Sequence, residues 1–124
     1  MTEASGAAEL SPQDAFLEST RSELEQVRAQ LREIRLLVEQ SQGEVDKLAT
    51  RNASITSRLH QLHANFDTVP REDIRTAYDA AQDAQQRLFT MTGQLEKLKS
   101  DQAHLERYAA FLARTVQLLE GGTL

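Results

Sequence analysis

Apolar side chains recur at alternating intervals of three and four along two stretches of about fifty residues, with Val69-Pro70 between them. In the first stretch, Leu17, Leu24, Leu31, Val38, Val45, Asn52, Leu59 and Phe66 form one heptad column. Thr20, Val27, Ile34, Ser41, Leu48, Ile55 and Leu62 form the other. The second stretch runs Ile74, Ala77, Ala81, Ala84, Leu88, Met91, Leu95, Leu98, Gln102, Leu105, Ala109, Leu112, Val116 and Leu119. A helix turns once in ~3.6 residues, so this spacing holds the apolar groups on one narrow stripe of each helix. Such stripes pair as seams and cannot enclose a three-dimensional core. The pattern predicts an all-α fold, a long antiparallel two-helix coiled-coil hairpin.

The punctuation of the chain sets the boundaries. Residues 1–10 are small and acidic and read as a disordered tail. Ser11-Pro12-Gln13-Asp14 has the form of a helix start: a capping hydroxyl, a proline in the first turn and an acid near the positive end of the helix dipole. Helix one is expected over about 12–67, the loop over about 68–70 and helix two over about 71–120. Gly121-Gly122 then ends helix two and opens a short tail over 121–124.

A register follows if each position of one column faces its counterpart across the seam. Pairs whose residue numbers total 136 would set Phe66 against Pro70, with too little chain left to turn. The expected pairs therefore total 143: Leu24 with Leu119, Leu31 with Leu112, Val38 with Leu105, Val45 with Leu98. They also join Ser41 to Gln102 as a polar layer, and a buried polar group with a partner costs far less than one alone. Arg21 and Glu120 then share a flank, as do Arg35 and Glu106. Asn52 stands alone opposite Met91 and is a candidate for fixing register or oligomeric state. Ala77, Ala81 and Ala84 face Phe66, Leu62 and Leu59, which narrows the seam near the loop. Gly43 and Gly93 sit on outward positions and mark a candidate flexible level, since each glycine costs a helix ~1 kcal/mol relative to alanine.

Helix two carries more apolar residues than one seam needs. Tyr108, Phe111, Thr115 and Leu118 repeat the spacing on a neighbouring face, with His104 one turn earlier. Leu36, Leu37 and Phe16 are the extras on helix one. Contiguous exposed apolar surface marks a contact site. Leu36, Tyr108, Phe111 and Leu118 are accordingly the candidate dimer interface, and a homodimer would close a four-helix bundle at the end away from the loop.

The chemistry of the remaining residues is sparse. The 124 residues include no cysteine and no tryptophan, and the net charge of −5 is spread without a basic stripe that would neutralise phosphates. Nucleic-acid binding and membrane insertion are therefore not expected, and no signal peptide is read at the start, so the cytoplasm is the expected location. His60 and His63 have a spacing that suits two metal ligands, but no third ligand stands near them. Serines and threonines form no nucleophilic triad, and no glycine-rich phosphate loop is present. The expectation is no active site, no metal and no cofactor.

Phe66, Val69, Ile74-Arg75-Thr76-Ala77-Tyr78, Ala81, Leu88, Met91 and Leu105-Glu106-Arg107 together resemble the N-terminal sensor domain of DegS-type two-component histidine kinases, the cytoplasmic kinases of Gram-positive bacteria. The resemblance covers roughly residues 40–118. It implies a helical, dimeric, cytoplasmic input module that works with a kinase domain or another signalling protein. Pro70-Arg71-Glu72-Asp73 depart from the serine and acids that usually open the second helix. No phospho-acceptor histidine and no ATP-binding motif carry over. The expected function is a non-catalytic signalling module acting through protein–protein contacts; the alternative is a passive structural spacer or adaptor.

Overall fold

A computed structural model describes residues 11–121. The expected tail at 1–10, and residues 122–124 of the tail expected at 121–124, lie outside the described residues. Two helices, α1 (Pro12–Ala64) and α2 (Arg71–Glu120), make an all-α helical hairpin, with no strand among the described residues.

The helix ends follow local chemistry. The Ser11 hydroxyl accepts the Asp14 backbone N–H at 3.0 Å, and the Ser11 carbonyl accepts that of Ala15 at 2.9 Å. These contacts satisfy groups that a bare helix start leaves unpaired. Helix α1 stops at Ala64, three residues before the expected Asp67. Asn65 explains the difference: its side-chain amide donates to the Gln61 carbonyl at 2.9 Å, and its carbonyl accepts both the backbone N–H and the hydroxyl of Thr68. Those bonds replace the helical ladder with turns through Val69. Pro70 then receives the N–H groups of Asp73 and Ile74 and starts α2. At the far end, Gly121 donates to the Gln117 carbonyl at 2.9 Å.

Every expected seam position except Phe66 is buried or half-buried. Phe66 lies in the turn and is 63% exposed. Moving it out of the seam removes the objection to the rejected register, because six residues, 65–70, now connect the helices.

The chain divides into two compact units. In the first, residues 11–35 pack against residues 100–121. Leu24, Val27 and Leu112 form its core, with Leu105, Ala109, Ala113 and Val116 packed against them. Tyr108 donates a hydrogen bond to Glu23. These contacts set Leu24 level with Leu112, one heptad from the expected Leu119. Thr20 agrees: it is buried, yet the expected register would face it toward a position beyond the end of α2. Its hydroxyl donates to the Phe16 carbonyl at 2.8 Å, so its burial leaves no polar atom stranded.

The second unit holds residues 36–99. Here Leu62 and Ile55 line one groove with Asp73, Thr76, Ala77 and Ala80, and Leu48 lines another with Gln86, Arg87 and Met91. Leu62 therefore shares its groove with Asp73, Thr76 and Ala77, earlier on α2 than the expected Ala81. The same one-heptad correction holds in each unit. Only Ala81 and Leu95 are buried in this second unit, against six residues in the first.

Candidate interaction surface

The expected flank ion pairs are present in the first unit. Arg21 bonds Glu120, and Arg35 meets Glu106 at 3.4 Å. Their presence is compatible with the corrected register because helical side chains lean toward their own N-terminus. In an antiparallel pair the two leans add, so long side chains meet across about one and a half turns of backbone offset. The Arg21 guanidinium is held above its ordinary pKa, chiefly by its hydrogen bond to Glu120.

The neighbouring apolar face of α2 is open. Phe111 is 63% exposed, Leu118 40% and Tyr108 36%. Each directly precedes a seam residue, so all three lie on one flank of the seam. Thr115, between them, donates its hydroxyl to the Phe111 carbonyl at 3.0 Å. Tyr108 is held at the edge of this face by Glu23, and that bond, with burial adding to it, raises the phenol above its ordinary pKa. Leu36, the fourth residue expected in the interface, belongs to the second unit and is also exposed.

The remaining expected residues are placed as follows. Gln102 donates to Glu106 at 3.2 Å, along its own helix in the first unit, while Ser41 is half-buried in the second. Asn52 is half-buried, and its Oδ1 is enclosed without a hydrogen-bond partner; one turn on, Thr56 Oγ1 is in the same condition. A methyl group added at Gly43 or Gly93 would meet nothing within 4 Å, which places both on open surface. His60, His63 and His104 are exposed, and the described residues contain no cluster of three potential metal ligands. No helix of the described residues is long and apolar enough to cross a membrane.

Phe89, the most exposed aromatic residue at 82%, was missed by sequence reasoning. It directly follows the seam residue Leu88 and so reads as a widening of the stripe. Its only signal was an aromatic group with no partner column of its own.

A family model described as sensor protein DegS matches residues 14–120, nearly the whole of both helices and the turn. The chain belongs to the DegS sensor-protein family. No curated protein and no solved structure matches it. The DegS match begins within the first turn of α1 and ends with the last residue of α2, so it includes the apolar face at Tyr108–Leu118 as well as the turn. Membership makes this hairpin a sensor module by family.

Proposed function

We propose that this hairpin is the cytoplasmic, non-catalytic input module of a two-component sensor, acting as a homodimer through the Tyr108–Phe111–Leu118 face and passing a change in helix packing to a kinase domain or equivalent signalling partner. The observation that carries the proposal is the exposed Phe111 ring at the centre of a spaced apolar stripe, on a chain whose family is a sensor family. An aromatic ring left in water gains ~25 cal/mol for each Å² it buries, so a second copy that covers the stripe lowers its free energy. Leu36, in the second unit, is exposed as well. The same packing suits a switch, because paired helices hold a small set of discrete arrangements and a partner that favours one shifts the population.

Sedimentation velocity on the full chain and on Phe111→Glu tests this reading. A concentration-dependent dimer that Phe111→Glu converts to monomer, with helical content unchanged, is the expected result. A monomer at every accessible concentration, or a dimer insensitive to the charge, overturns it.

A further inference from the structure

The flank of the seam opposite the aromatic face carries a different pattern. On α1, Arg21, Arg28, Arg32 and Arg35 each directly follow a seam residue, namely Thr20, Val27, Leu31 and Ile34. On α2, Glu106, Ala110, Ala113 and Glu120 follow Leu105, Ala109, Leu112 and Leu119. The two rows meet at their ends through Arg35–Glu106 and Arg21–Glu120. Between these clamps, Arg28 and Arg32 face alanines. Among the described residues neither has an ion-pair partner, and Glu25, one turn before Arg28 on the same helix, does not bond to it. The space is an open groove of about 540 Å³, floored by Leu31, Ala109, Ala110 and Ala113 and walled by Arg28, Arg32 and the Arg35–Glu106 pair.

We propose that this groove docks an acidic helix of a partner protein, one presenting two carboxylates a single turn apart on an otherwise small, apolar face. Three features select that occupant. Arg28 and Arg32 are four residues apart, which sets their guanidinium groups at about the ~6 Å rise that separates carboxylates at i and i+4 on a facing helix. Guanidinium binds carboxylate through two parallel hydrogen bonds, so the pair reads position as well as charge. The alanine floor has no side chain long enough to hold a third helix away, and it offers apolar contact that a small hydrated anion does not use. The groove is open along its length, which suits a helix and leaves a free phosphate mostly solvated. The surface lies on the far flank from Phe111, so it stays available whether or not that face is covered.

Fluorescence anisotropy with a labelled, helix-stabilised peptide tests the proposal. The peptide carries glutamates at i and i+4 flanked by alanine and leucine; its control carries glutamines. The full chain should bind the glutamate peptide with an affinity that falls as salt rises. Glutamine replacement in the peptide, or Arg28→Gln with Arg32→Gln in the chain, should weaken binding by about tenfold or more. Ala110→Trp, which fills the floor and leaves both arginines, should weaken it as well. Arg28 and Arg32 are exposed, so these variants keep the fold, and circular dichroism checks that. Absence of binding, equal binding by the Arg28→Gln/Arg32→Gln variant, indifference to Ala110→Trp, or full displacement by millimolar inorganic phosphate each overturns the acidic-helix proposal.

Discussion

The Tyr108 hydroxyl donates to the Glu23 carboxylate across five residues of backbone offset when Leu24 faces Leu112, a span that two side chains can bridge. A pairing of Leu24 with Leu119 would displace them by more than three turns. The bond therefore selects the pairing of Leu24 with Leu112, in agreement with the core cluster these leucines share with Val27. The native chain has no cysteine, so engineered thiols report without interference. Leu24→Cys with Leu112→Cys should oxidise to an intramolecular disulfide rapidly, because facing seam positions bring Cα atoms into the ~4.4–6.8 Å range a disulfide needs. Leu24→Cys with Leu119→Cys should oxidise slowly. The reverse order would restore the register read from sequence.

The same hydrogen bond predicts a pH dependence. The Tyr108 phenol is raised above its usual pKa of about 10, first by the bond to Glu23 and then by burial and the carboxylate charge. A raised folded-state pKa means the neutral phenol is favoured in the folded chain. Its contribution to stability is complete below the unfolded pKa and is lost as pH climbs through the folded value. In a Tyr78→Phe background Tyr108 is the sole tyrosine, and phenolate absorbance follows it directly. Glu23→Gln should shift that titration to lower pH. An unmoved titration would show that the bond does not form in solution.

Asn52 and Thr56 are the weak point of the second unit. Thr20, Thr50 and Thr115 each donate back to the carbonyl four residues earlier, at 2.8, 3.1 and 3.0 Å. Thr56 does not, and its oxygen lies buried without a partner, as does Asn52 Oδ1 one turn earlier on α1. An unsatisfied buried acceptor costs ~1–3 kcal/mol. Thr56→Val and Asn52→Leu should therefore each raise stability to chemical denaturation, by about 1 kcal/mol or more. A loss of stability instead would indicate an ordered water bonded to both atoms, since a water so held is costly to remove.

Most of the fold was legible because a period of three and four has one structural meaning. The seam columns, the Ser11 start and the Pro70 restart follow from local rules. The Arg21–Glu120 and Arg35–Glu106 pairs, expected from the 143 register, form in the corrected one because long side chains lean across the offset. The register was not legible, because hydrophobic spacing repeats every heptad and fits equally well after a one-heptad slide. What chose between the slides was the place where α1 ends, and Asn65 decided that through a side-chain bond that spacing does not encode. Phe66 kept the apolar period two residues past the helix, and following it led to the wrong register. The exposed apolar stripe at Tyr108, Phe111 and Leu118 was legible because it depends on spacing alone. The arginine groove was hidden because counting charge over a whole helix averages Arg28 and Arg32 with the glutamates around them, and only pairing the two flanks reveals the alanines opposite.

Gly43 and Gly93 give the last prediction. Both lie within helices of the second unit, and neither position is crowded, so an added methyl group introduces no clash. Glycine in a helix interior loses more backbone entropy on folding than alanine does. Gly43→Ala and Gly93→Ala should each stabilise the chain by ~0.5–1 kcal/mol, measured by urea denaturation. Hydrogen exchange separates the two meanings of that gain. If the glycines keep this level soft for signalling, the double variant slows amide exchange around residues 40–46 and 90–96 and reduces any partner-dependent change in seam crosslinking. If they are surface drift, stability rises while the partner-dependent change is untouched, and the flexible-level reading falls.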